Sequence, residues 1–177
     1  MHRLIDHPAL PPRSISRVQV RWRFLRTAEL ILRWRIDGAQ DVILPPGADG
    51  ARADHLWKTT CFELFLDFGD GAYREFNFSP SGQWAAYDFS SYRVRADDPE
   101  LAAPPVVSAE RGSAIIAGAV RIPVQALGGA KKAAICTVIE EQGGIVSFWA
   151  NAHGNAEKPD FHDRSCFVID LGQPGQR

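Results

Sequence analysis

Apolar and polar residues alternate with period two over much of this chain. From Val18 to Phe24 the apolar residues Val18, Val20, Trp22 and Phe24 alternate with Gln19, Arg21 and Arg23. Beyond a short break, Leu30, Leu32, Trp34 and Ile36 alternate with Ile31, Arg33 and Arg35. Side chains along a strand point to opposite faces in turn, so the pattern predicts two strands with one buried face each. Leu25 to Ala28 reads as their hairpin connection, which puts Arg21, Arg23, Arg33 and Arg35 on one solvated face. The densest pattern is Cys61 to Phe68. There Phe62, Leu64, Leu66 and Phe68 form a wholly apolar face, and Cys61, Glu63, Phe65 and Asp67 form a mixed one of the kind a ligand meets. Gly69-Asp70-Gly71 turns the chain into Tyr73 to Phe78, with Tyr73, Glu75 and Asn77 on one side and Arg74, Phe76 and Phe78 on the other. Ser79-Pro80-Ser81-Gly82 turns it again into Gln83 to Phe89, which completes a three-stranded meander.

The remaining chain continues in the same way. Asp97 to Pro105 reads as a charged surface loop, Ser113 to Ile122 as a strand, and the region from Ile122 to Gly129 as a short helical turn. Ala133 to Glu140 and Ile145 to Ala152 flank Glu141-Gln142-Gly143-Gly144, a strong hairpin signal, and Cys166 to Leu171 reads as the last strand. No long segment repeats every 3.6 residues. Short strands with turn signals between them predict an all-β fold, two antiparallel sheets packed as a β-sandwich. Pro8, Pro11 and Pro12 make residues 1–15 an arm laid over a single domain of residues 16–172, with 173–177 as a tail.

Composition narrows the function classes. A length of 177 residues suits one core, and 45% hydrophobic with 23% charged residues is ordinary globular usage. A net charge of −1 argues against a nucleic-acid binder, although the first 35 residues carry eight Arg against Asp6 and Glu29. That Arg stripe has no aromatic residues on its own face and reads as solvated strand surface. The N-terminus lacks the apolar stretch of a secretory signal, and no apolar run approaches the roughly 20 residues that span a bilayer, so the expectation is a cytoplasmic protein with no membrane partner. Cys61, Cys136 and Cys166 are odd in number and sit among apolar neighbours, as buried reduced thiols do.

Enzyme motifs are missing: there is no Gly-x-Ser-x-Gly elbow, no phosphate-binding loop, no dinucleotide glycine fingerprint and no His-Glu-x-x-His. Glu63 and Glu75 could share one face of adjacent strands, as the two carboxyl groups of a glycosidase must, and could equally bond to a cation or a sugar hydroxyl. A second polar cluster runs from Asn151 and His153 to Lys158, Asp160, His162, Asp163 and Arg164. Its spacing matches no zinc pattern, so it is read as a hydrogen-bonded loop with no metal. Trp57, Tyr73, Trp84, Tyr87, Tyr92 and Trp149 lie at strand ends or beside polar residues, where a flat ring can stack on a sugar. Trp84 is the preferred binding aromatic.

The blocks Leu56 to Asp67, Tyr73 to Gly82, Trp84 to Tyr87 and Lys158 to His162 resemble bacterial DOMON-like proteins related to family-nine carbohydrate-binding modules. The resemblance covers about Asp54 to Leu171 and implies the two-sheet sandwich. It also implies one of two ligand classes, sugars held between tryptophans or a haem held by His and Met. The only Met is Met1, so a haem would need His153 and His162 to face one cavity. The expectation is therefore a non-catalytic module, without cofactor, for a carbohydrate or other small polar ligand. Its site is expected to draw on Trp57, Lys58, Glu63, Glu75, Asn77, Trp84, Tyr87, Trp149, His153, Lys158, Asp160 and His162, with Lys58 or Lys158 neutralising Glu63 or Glu75. The alternatives are a hydrolase or isomerase using Glu63 and Glu75, or a haem-binding domain.

Overall fold

The computed structural model describes residues 1–130 and 132–172, so the tail at 173–177 lies outside the described residues. The alternating segments form eleven strands and, among the described residues, no α-helix. They are β1 (His2–Asp6), β2 (Arg17–Phe24), β3 (Glu29–Asp37), β4 (Cys61–Asp67), β5 (Tyr73–Phe78), β6 (Trp84–Ser91), β7 (Val94–Arg95), β8 (Val106–Arg111), β9 (Ile115–Pro123), β10 (Lys132–Glu141) and β11 (Ile145–Ala150). Their hydrogen-bonded order is β7-β6-β5-β4-β10-β11-β1-β2-β3-β9-β8, one large sheet whose ends do not meet. Every pairing between named strands is antiparallel, with one isolated parallel bridge between Arg52 and Trp84.

Continuity of the sheet depends on β1. His2, Arg3 and Leu4 pair with β2, and Ile5 and Asp6 pair with β11, so this short strand joins the β2-β3-β9-β8 half to the β7-to-β11 half. Residues 1–15 thus differ from the expected irregular arm: the prolines begin only at Pro8, after the strand has formed. The Pro-rich stretch that follows is tied down by the buried carboxylate of Glu141, which accepts hydrogen bonds from the backbone N–H groups of Arg13 (2.8 Å) and Ser14 (2.7 Å) and from the Ser14 hydroxyl (2.6 Å). Burial alone would raise the pKa of Glu141, but these donors hold it below the usual carboxylate value.

Both halves contribute to one main core. Leu4, Val18, Val20, Leu32, Trp34, Ile36, Ile116 and Val120 point inward from one half, and Phe62, Leu64, Leu66, Phe76 and Phe78 from the other. At the centre Trp34 of β3 stacks on Phe62 of β4, with ring centroids 4.8 Å apart and 19° between the planes. Gly118 of β9, paired with Trp34, makes room for that ring: a Cβ added there would lie 2.4 Å from Phe62 Cε2. The arginine face of β2 and β3 forms as expected, with Arg21 opposite Arg33.

Three local expectations change. Cys166 to Leu171 is not a strand: Arg164–Cys166 is a 3-10 turn, and only Ile169 bridges to Ala133. β7 and β8 were not anticipated, because each is short or exposed and lacks a continuous apolar face. Trp149, a candidate ligand aromatic, is instead 2% exposed within the main core, its indole N–H donating to Ser147 Oγ at 2.9 Å. The three cysteines are buried and unpaired.

Gly118→Ala should destabilise the fold by about 1–3 kcal/mol, because Phe62 can yield only by losing its stacking on Trp34. Urea unfolding of both proteins measures this, and an unchanged midpoint would show that the space around the Phe62 ring has slack.

Candidate functional site

The second face of β4 is also covered, by a smaller apolar cluster. Cys61 and Phe65 of β4, Tyr73 of β5, Ala85, Tyr87 and Phe89 of β6, and Ala134, Cys136 and Val138 of β10 form its sheet side. Phe161, Cys166 and Phe167 close over them from the loop after β11. That loop is pinned at three points. Arg164 donates to Asp67 of β4 (2.6 Å), Arg93 of the β6–β7 turn donates to Asp160 (2.7 Å), and Tyr73 shares a 2.7 Å hydrogen bond with His162. Tyr92 also donates to Asp160.

Between this cover and the sheet lies a pocket of about 590 Å³, within the size range of small-molecule sites. Phe65, Tyr87, Phe89, Val138, Phe148 and Phe161 supply its apolar walls. Trp57, 48% exposed on a 3-10 turn (Leu56–Lys58), stands at its edge with His55, Asp54 and the guanidinium groups of Arg93 and Arg95. Two residues of this lining, His55 (φ 63°) and Arg93 (φ 56°), hold the left-handed backbone conformation that side chains other than glycine disfavour.

The pocket floor carries two acids. Period-two geometry brings Glu63 and Glu75 to one face: Glu63 pairs in register with Asn77, and Glu75 lies two residues away on β5, opposite Phe65. Glu63 is 3% exposed and Glu75 6% exposed. Glu75 Oε1 accepts a 2.7 Å hydrogen bond from Asn77 Nδ2, whereas its Oε2 has only His162 Nε2 at 3.6 Å, beyond hydrogen-bonding range. Glu63 opens onto the pocket and makes no hydrogen bond or ion pair among the described residues. Burial pushes the Glu63 carboxyl well above the usual carboxylate range, and the neighbouring Glu75 pushes it further. Glu75 is raised too, again by burial, against the opposing hydrogen bond from Asn77 and the charges of Arg95 and Arg93.

His162 is oriented by a hydrogen-bond chain. The backbone N–H of Arg93 donates to Tyr73 Oη at 3.0 Å, and Tyr73 Oη shares a 2.7 Å hydrogen bond with His162 Nδ1 that turns Nε2 toward Glu75. Burial, with help from the Arg93 charge, moves the His162 pKa down to about 4, so the ring is neutral near pH 7. Tyr87, at the rim, donates to Asp54 Oδ1 (2.7 Å) under the Arg95 guanidinium, which lies 4.0 Å from the ring centroid.

Six of the residues singled out from sequence therefore line one pocket: Trp57, Glu63, Glu75, Tyr87, Asp160 and His162. Asn77 stands behind Glu75. The others lie elsewhere. Trp84 turns to the interior against the main core, its indole N–H buried without a partner, because its place opposite Phe78 puts it on the inward face. His153 is half-buried outside the pocket, bonded through Nε2 to the Ile5 carbonyl (2.8 Å), so it and His162 do not face one cavity as a haem would require. Lys58 and Lys158 are exposed and outside the pocket lining, and neither pairs with a floor acid. Among the described residues no cluster of three or more His, Cys, Asp or Glu is arranged for a metal ion, and no helix is long and apolar enough to cross a membrane. Phe65, Phe89, Arg93, Arg95, Phe148 and Phe161 also line the pocket and are not part of the site expected from sequence. For Phe65 and Phe89 the signal was there, since both share the period-two face of Glu63, Glu75 and Tyr87. Arg93 and Arg95 lie beyond a turn with no such pattern.

No family model matches the chain, and no curated protein matches it. A solved structure from Bacteroides uniformis, named a "putative carbohydrate-binding protein", is similar with a TM-score of 0.54, covering 93% of this chain and 84% of its own, at 18% sequence identity. At that identity the likeness speaks for the fold alone.

Burial of Glu63 gives the site a pH signature. The folded-state pKa is raised above the unfolded value, so the stabilising difference is fully present at pH values below the unfolded pKa, near 4.5, and is lost as pH rises toward the folded value. Glu63→Gln removes this loss. The variant should therefore gain melting temperature relative to wild type at pH 7.5 and gain little at pH 4.5. Equal shifts at both values, followed by scanning calorimetry, would show that the carboxyl is not held protonated.

Proposed function

We propose that this chain binds a carbohydrate or another small polar ligand, without transforming it, in the pocket over the outer face of β4, β5 and β6. The same reading takes the fold as a two-layered β-sandwich of the DOMON-like, carbohydrate-binding-module type. The observation that carries it is the pocket floor: a buried carboxyl, Glu63, with no partner among the described residues, in a cavity walled by aromatic rings. A buried polar group without a partner costs stability, and a ligand hydroxyl or amine that reached it would recover that cost. Phe65, Tyr87, Phe89 and the exposed Trp57 supply flat faces for a ring, as sugar sites commonly do. The name of the Bacteroides uniformis neighbour agrees with a sugar ligand.

The raised carboxyls favour a second reading, a hydrolase or isomerase with Glu63 and Glu75 as its acid and its base. Glycoside hydrolysis needs one carboxyl protonated and the other ionised. Here burial raises both, and no cation among the described residues is paired with either. Non-catalytic binding is therefore the preferred reading.

A thermal-shift panel of mono- and oligosaccharides tests it, since a ligand at 100 times its Kd stabilises the native state by about 2.7 kcal/mol. A sugar that raises the melting temperature of wild type should lose its effect in Trp57→Ala and in Glu63→Gln, and keep it in Trp84→Phe, whose ring lies in the core. A shift that survives both pocket variants would put the ligand elsewhere, and no shift from any saccharide would remove the sugar reading. Turnover of chromogenic glycosides that Glu75→Gln abolishes would establish the enzymatic alternative.

A further inference from the structure

We infer that the group this pocket is built to hold at its floor is a primary ammonium, seated between Glu63 and Glu75, so that the ligand is an amine-bearing, sugar-sized molecule of the amino-sugar class. The inference rests on the pocket being the binding site and adds which ligands it selects.

The charges around the pocket are unequally matched. At the rim, Arg93 is paired with Asp160 (2.7 Å), Arg95 with Asp98 (2.5 Å), and Asp54 with Arg52 (3.2 Å) and the Tyr87 hydroxyl. At the floor, neither acid has a cationic partner among the described residues. Glu63 makes no hydrogen bond to them, and Glu75 uses one oxygen, leaving Oε2 with the neutral His162 at 3.6 Å. Three acceptor positions, two on Glu63 and one on Glu75, therefore open on one buried space. A primary ammonium has donors for these positions, and its single charge balances one ionised carboxyl of the pair. Aromatic faces at Phe65, Phe89 and Tyr87 line the approach, and such faces attract a desolvated cation. A quaternary ammonium has no donor for the carboxyls, and a neutral hydroxyl supplies one donor and no charge.

Binding of this kind displaces a proton. In the empty pocket burial favours the protonated form of the pair, and beside an ammonium one carboxyl ionises, so a proton leaves as the ligand enters and affinity rises with pH. The other groups facing the pair do not oppose this trend between pH 5 and 7. Cys61 of β4 and Cys136 of β10 are thiols raised well above their usual range by burial, and Tyr73 of β5 is also raised. His162 is neutral above pH about 4. Asp160 is held low by its bonds to Tyr92 and Arg93 despite its burial, and Asp54 by its bond from Tyr87. Arg93 and Arg95 present guanidinium groups to the pocket, and His55 stands at the rim.

Isothermal titration of the full chain with glucosamine and galactosamine, against glucose, galactose and the two N-acetyl amino sugars, tests the inference at pH 5 and pH 7. We expect at least one amino sugar to bind about tenfold or more tightly than its hydroxyl and N-acetyl counterparts at pH 7. We also expect that preference to shrink at pH 5, and buffers of different ionisation enthalpy to report proton release. Glu63→Gln should lose the preference, binding the amino sugar no more tightly than its neutral counterparts, and the wild-type pH series tests the same point without a variant. Neutral sugars that bind as tightly as their amino counterparts, or an affinity that is flat or falls between pH 5 and 7, overturn the ammonium and leave the sugar pocket standing. Failure of all six sugars to bind overturns both.

Discussion

Every residue of β4 is buried, on both faces, and the rest of the molecule is arranged around that constraint. A strand in an antiparallel sheet commonly packs one face on the core and leaves the other to water. Here Phe62, Leu64 and Leu66 belong to the main core, and Cys61 and Phe65 to a second apolar cluster, with Glu63 between them. A covered second face needs a cover. With no α-helix available among the described residues, loop chain supplies it: Phe161 and Phe167 after β11, and the turn carrying Tyr92 and Arg93 after β6. Such chain has few backbone partners of its own, so side chains hold it. Arg164 on Asp67, Arg93 on Asp160 and Tyr73 on His162 are the fastenings that keep the second cluster closed.

The same constraint explains how a sheet comes to have a pocket. Loop chain laid over a twisted sheet cannot match its surface everywhere, and the gap falls where the sheet side chains are aromatic or acidic and the cover leaves the face, between Pro159 and the turn at Trp57. The opposite half of the sheet shows the contrast. Its outer face is a row of exposed arginines, two of them paired with Asp37, over which no described chain folds. β1 lets one chain do both, because it pairs with β2 over three residues and with β11 over two.

Much of the fold was legible because period two is a strong signal: the β2–β3 hairpin, the β4-β5-β6 meander and the β10–β11 hairpin fall within a residue or two of their expected places. β1, β7 and β8 were not legible, since a strand of two to six residues with exposed side chains has no pattern to distinguish it from loop. The same rule decided the site. Glu63, Glu75, Asn77 and Tyr87 could be assigned to one face by counting along strands. Trp84 could have been excluded by the same count, because Phe78 opposite it points inward. Burial and polarity around an aromatic ring do not tell which layer it faces, and that is why Trp84 and Trp149 were drawn into the site. The contributions of Arg93, Arg95 and Phe161 come from tertiary placement of loops, which no local pattern encodes. The lysines failed as counter-ions for a physical reason: a long flexible side chain stays in water when its partner acid can take up a proton instead.

An apolar residue at Glu63 would continue the cluster of Phe65, Cys136 and Ala134 without the penalty of burying a carboxyl. At neutral pH the penalty falls on the folded state alone, since the unfolded chain leaves the group ionised in water. The structure moderates it for Glu75, through Asn77, and leaves Glu63 unrelieved. Strain and unsatisfied groups tend to persist where they serve a bound state. A carboxyl that is costly in the empty pocket and faced by aromatic walls would have its lowest free energy with a donor brought in from outside. The same burial that weakens the free protein would strengthen such a complex, because a hydrogen bond made out of water is stronger than one made in it.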